Sequence, residues 1–113
     1  MKKIPPTHKE YILPTVIKLG YQDIKITEED LVDAQGCYQA EQSKIRIKED
    51  MDKREQMNTL LHELLHAIVY VYGLKKDFKT DEEEEKIVNL LANGLTEVLV
   101  RNKDLVMFIE KSV

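Results

Sequence analysis

Two short segments, Asp23-Ile24-Lys25-Ile26-Thr27 and Lys44-Ile45-Arg46-Ile47-Lys48, carry the strictest pattern in the chain: isoleucine at every second position, polar residues between. A period of two puts the isoleucines on one face of an extended strand, so each segment must lay that face on an apolar layer and give the other to water. Gly36 to Ala40 supplies a third candidate strand, and Glu28-Glu29-Asp30 and Ala34-Gln35-Gly36 read as turns or a short helical connection. The expected unit is a small antiparallel sheet of two to three strands between Asp23 and Lys48 with one apolar face.

Helices must cover that face. Apolar residues at helical spacing predict one helix from about Asp52 to Tyr72, stopped by Gly73, and another from about Asp81 to Arg101, capped by Thr80 or Asp81. The Gly73 to Lys79 connection is short enough to fold the second helix back antiparallel to the first. Ahead of the sheet, Pro5-Pro6 starts extended, and Thr7 with Glu10 resembles a capping box opening a short helix to about Leu19. The predicted architecture is α+β in a single domain, residues 1–113, with 42% apolar residues to build its core.

The net charge of -4 and the lack of a basic stripe argue against a nucleic-acid partner. The single cysteine, Cys37, has no internal disulfide partner, and Met-Lys-Lys-Ile-Pro-Pro lacks the apolar run of a secretory leader. The longest apolar stretch, Leu64 to Tyr72, is too short to span a membrane. A cytoplasmic location is expected.

Within the first long helix stands His62-Glu63-Leu64-Leu65-His66. Histidines four residues apart share one helix face, where their ring nitrogens can reach one ion, and Glu63 stands one step round, where it can reach a water on that ion. Leu60, Leu61, Leu64, Leu65, Ile68 and Val69 place the pair at the border of the core. A catalytic zinc takes three protein ligands, and Glu82 to Glu85 open the next helix. Val88, Leu91, Ala92, Leu95, Val98 and Leu99 define the core face of that helix, with Glu84 and Glu85 nearest to it. Glu85 is the first choice as third ligand and Glu84 the substitute. Asn89 is placed to orient a ligand from behind.

These residues, His62-Glu63-Leu64-Leu65-His66-Ala67 followed by Glu85 and Asn89, resemble the gluzincin metallopeptidases in their minimal phage and prophage form, and are similar to the ImmA/IrrE-type peptidases. In that group a His-Glu-x-x-His helix is followed by a glutamate on the next helix, often with Asp or Asn four residues beyond. The resemblance covers roughly residues 22–101, including the turn at Gly36-Cys37-Tyr38 and the strand from Lys44. This chain differs from the ImmA/IrrE type in having Leu64-Leu65 where Gly is frequent, and a run of four glutamates, Glu82 to Glu85, at the opening of the second helix. The resemblance implies a minimal zincin fold and a zinc metalloendopeptidase holding one Zn2+ ion by His62, His66 and Glu85, with Glu63 as general base. The partner is then a protein or peptide substrate, in some family members a repressor or regulator protein. The alternative is a zinc-stabilised module that binds a protein without cutting it.

Tyr70, four residues past His66, and Tyr38 are the nearest candidates for a donor to a developing oxyanion, a role left unassigned. His8 is expected on the surface of the first helix, and Cys37 in a turn or the core. Met51, Met57, Met107 and Leu105-Val106-Met107-Phe108-Ile109 are expected to complete the core, the alternative being an exposed apolar tail that contacts a dimer mate or partner.

Overall fold

The structure is a computed structural model, and it describes residues 12–113. Four strands, β1 (Val16–Leu19), β2 (Gln22–Glu29), β3 (Gly36–Gln39) and β4 (Lys44–Lys48), precede three helices, α1 (Lys53–Val71), α2 (Asp81–Arg101) and α3 (Lys103–Ser112). The strands form one sheet in the order β1-β2-β4-β3. The outer pairs are antiparallel and the central β2–β4 pair is parallel, with Ile26 opposite Ile45.

The sheet is therefore α+β as expected but has four strands rather than two to three, and it is mixed rather than purely antiparallel. The strands with the Ile-x-Ile pattern take the centre because they have the most apolar surface to bury, and Ile24, Ile45 and Ile47 have no exposed surface. The shorter β1 and β3 are left at the edges. β4 enters between β2 and β3, and that insertion makes the central pair parallel.

The fourth strand corrects the expected helix ending near Leu19. His8 and the capping-box residues Thr7 and Glu10 lie outside the described residues, while Val16–Leu19 is β1. Pro14 cannot sit within a helix, and Val16 and Ile17 are β-branched. Gly20, at φ 58°, then occupies the first position of the two-residue β1–β2 turn, and a Cβ there would stand 2.6 Å from Val71.

The helices begin and end where their terminal groups find partners. Asp52 caps α1, its carboxylate accepting the Glu55 N–H at 2.9 Å. At the other end Gly73, at φ 72°, donates to the Tyr70 carbonyl while Leu74 donates to that of Val69, the two bonds of a Schellman motif. Thr80 caps α2 by accepting the Glu83 N–H, and Glu83 reaches back to the Lys79 N–H. α1 lies on the isoleucine face of the sheet: Ile24, Ile26, Ile45, Ile47 and Ala67 make one buried cluster, with Leu60, Leu64 and Met51 packed on it. α2 runs beside α1, joined to it by Asn58, which donates to Asn93 and Thr96.

The C-terminal segment corrects another expectation. Leu105, Val106, Met107, Phe108 and Ile109 are on α3, which contains no buried residue, so they do not complete the core. Among the described residues no helix is long and apolar enough to cross a membrane.

Candidate metal centre

The pitch of α1 stacks His62 and His66, with ring centroids 5.0 Å apart. α2 brings Glu85 across both rings: its Oε2 lies 3.0 Å from His62 Nε2 and its Oε1 lies 2.8 Å from His66 Nε2. Ligand atoms of His62, His66 and Glu85 lie within 4.8 Å of one another. Two imidazole nitrogens and a carboxylate converging at this range are a donor set suited to a borderline divalent cation.

Glu84, the substitute ligand, faces the other way along the same ring. Its Oε2 is 2.7 Å from His66 Nδ1, and its Oε1 accepts from Lys75 Nζ at 2.8 Å. Lys75, on the connection between the helices, also donates to Asp81 at 3.0 Å. Asn89 shares a small pocket with His62, Glu63 and Glu85, and among the described residues no hydrogen bond joins it to either imidazole.

The charges follow this arrangement. Burial lowers the His62 pKa against the opposing pull of Glu85. Burial also acts to lower that of His66, but its hydrogen bonds to Glu84 and Glu85 outweigh it and the net shift is upward. Glu84 is buried, which alone would raise its pKa, yet Lys75 and His66 hold it below the ordinary carboxylate range.

Glu63 is a second buried acid of the site, and among the described residues it has no lysine beside it as Glu84 has Lys75. Its side chain stands against β3, where the Tyr38 backbone N–H donates to it, and burial pushes its pKa up to about 7. A residue missed in the sequence makes this packing feasible: a Cβ on Gly36 would lie 2.6 Å from Thr59 and 3.2 Å from Glu63, so only glycine lets β3 approach α1 so closely. The signal was there, since an isolated glycine at a strand often marks close backbone approach.

An open cleft runs along this centre, lined by β3 residues Gly36, Cys37 and Tyr38 as well as by His62, Glu63 and Glu85. Cys37 is exposed there rather than in the core. Tyr38 and Tyr70 meet edge to face at 6.2 Å, and both line the cleft. The Tyr38 hydroxyl is committed to Gln22, to which it donates at 2.8 Å. Among the described residues no hydrogen bond claims that of Tyr70, which is 44% exposed.

A sheet laid on a helix bearing His-Glu-x-x-His, with a glutamate delivered from the next helix, defines a zincin-like protein with a candidate metal centre. The chain belongs to the Peptidase_M78 family, whose model, described as the IrrE N-terminal-like domain, matches residues 19–105. No curated protein and no solved structure matches it.

Proposed function

We propose that the protein is a zinc-dependent endopeptidase that holds one Zn2+ ion through His62, His66 and Glu85 and uses Glu63 as its general base. The observation carrying this reading is the convergence of those three ligand atoms beside a buried glutamate on an open cleft. Zinc bound there supplies a Lewis acid that acidifies a water molecule and polarises a peptide carbonyl. Glu63 accepts the proton of the attacking water and passes it to the leaving amine, a role that its place on the cleft beside His62 and His66 supports. The unclaimed Tyr70 hydroxyl is the donor on the cleft that can meet the carbonyl oxygen as it gains charge. β3 is an edge strand beside the cleft, and an extended peptide can add to it by main-chain hydrogen bonds, which favours flexible segments of protein substrates.

The test is a pair of measurements on wild type and Glu63→Gln. Both should bind one zinc per chain, and only the wild type should cleave members of a library of unstructured peptides. Equal turnover by the two would refute the role of Glu63. Bound zinc with no cleavage by the wild type would refute the peptidase and leave a metal-stabilised binding module.

A further inference from the structure

α2 turns only one narrow line of side chains inward: Glu84, Val88, Ala92 and Thr96, each four residues from the next. Ile87, Leu90, Leu91 and Val98 lie away from that line and are 39%, 58%, 52% and 41% exposed, more apolar surface along one helix than a solvated face requires.

One row on this outer face has an order of its own. Glu83, Lys86, Leu90, Gly94, Glu97 and Arg101 follow one another at steps of three or four residues, so they share a side of the helix, and all six are exposed. A Cβ on Gly94 would meet nothing within 4 Å, so the row has a notch at Gly94 and a projecting side chain at Leu90. Read backwards, the row is its own complement: base replaces acid, acid replaces base, and notch replaces knob. Laid antiparallel on a second copy, the register that sets Glu83 against the partner's Arg101 also sets Leu90 over the partner's Gly94 and brings Lys86 within one residue of the partner's Glu97, inside the reach of a lysine side chain. The two-fold axis repeats each pairing.

We propose that this face is a homodimer interface in which two copies of the chain pair their α2 helices antiparallel. Ile87, Leu90, Leu91 and Val98 supply the buried apolar contact, and Gly94 allows the helix axes to approach closely. The charged ends fix direction and register, since exposed ion pairs add little affinity but penalise a wrong alignment. Within one copy Arg101 already pairs with Glu97 at 2.9 Å, so the partner's Glu83 and Lys86 would extend an existing network. Glu85 and Asn89 lie on the opposite side of α2 by helical periodicity, so pairing leaves the cleft open. This proposal does not depend on the metal reading.

Sedimentation equilibrium on the full chain, from low micromolar to several hundred micromolar, tests it, with circular dichroism confirming that each variant is folded. The wild type should dimerise reversibly. Leu90→Asp should weaken dimerisation by about tenfold or more, since it places a charge in the buried seam. Lys86→Glu should also weaken it, and Lys86→Glu combined with Glu97→Lys should restore most of the loss because the acid–base order is only reversed. A wild type that stays monomeric throughout, including one that binds some other protein through this face, overturns the proposal. A dimer indifferent to Leu90→Asp, or a charge reversal that restores nothing, also overturns it.

Discussion

His66 Nδ1 stands 2.7 Å from Glu84 Oε2, while the opposite nitrogen of the same ring faces Glu85 at 2.8 Å. Adjacent glutamates therefore have different tasks. Glu85 reaches the Nε2 atoms of both imidazoles, and Glu84 holds Nδ1 of one. In the proposed zinc-bound form, a proton on Nδ1 held by Glu84 leaves the Nε2 lone pair for the ion, and Lys75 helps to keep Glu84 ionised.

Glu84→Gln should lower zinc affinity by about 10- to 100-fold without changing the one-to-one stoichiometry, because an outer partner of a ligating imidazole is lost while the ligands remain. Competition against a chromogenic chelator measures this. Lys75→Met should produce a smaller loss in the same direction, since Lys75 acts on His66 only through Glu84. Loss of stoichiometric binding in Glu84→Gln would instead make Glu84 a direct ligand.

Gly36→Ala should destabilise the protein by roughly 1–3 kcal/mol, the usual cost of forcing an added methyl group into a packed contact. Its Cβ must displace Thr59 and the Glu63 side chain, so any peptidase activity should fall further than stability alone explains. Urea denaturation beside turnover separates the two effects. An unchanged midpoint would show that β3 can move away from α1 at little cost.

In metal-free protein, Glu63 should make stability fall as pH rises. Its pKa goes from 4.5 to about 7 on folding, so between those values the folded chain binds a proton that the unfolded chain has released. The contribution is full below about pH 4.5 and is lost by pH 7 and above, with an upper limit of roughly 3 kcal/mol. The upward shift of His66 works in the same direction above its ordinary value, and the downward shift of His62 works against it. Comparison with Glu63→Gln isolates the glutamate: under chelator the variant should gain on the wild type from pH 5 to pH 8. Parallel pH profiles would show that the buried carboxyl does not titrate in this range.

Tyr70→Phe should reduce kcat by about tenfold or more with little change in KM, because its hydroxyl is proposed to act on charge that exists only in the transition state. Tyr38→Phe should act mainly on stability, since that hydroxyl is bound to Gln22. Steady-state kinetics on one cleaved peptide distinguishes them, and equal effects on kcat would remove Tyr70 from the mechanism.

The local part of this molecule was legible in its sequence. Asp52, Gly73 and Thr80 marked the helix ends because capping depends on residues within a turn of the terminus. The spacing of His62, Glu63 and His66 determined their neighbouring positions on α1, and helical pitch narrowed the candidate third ligand to Glu84 or Glu85. Their division of labour was not legible, since it depends on the angle at which α2 crosses α1 and on Lys75 reaching in from the connection. The parallel β2–β4 pair was missed because alternation identifies a strand but not its neighbour, and β1 because the capping pattern at Thr7 and Glu10 suggested a helix that Pro14 and the β-branched Val16 and Ile17 oppose. The apolar run in α3 resembled core because composition cannot show whether a face remains to be covered.

The most direct test of the metal centre is elemental analysis of wild type and Glu85→Ala after zinc loading and dialysis. The account predicts one zinc per chain in the wild type and its loss, or a drop in affinity of several orders of magnitude, in Glu85→Ala, which removes one of the three proposed protein ligands. A wild type that holds no zinc at saturation, or a Glu85→Ala protein that holds it as tightly as the wild type, would contradict it.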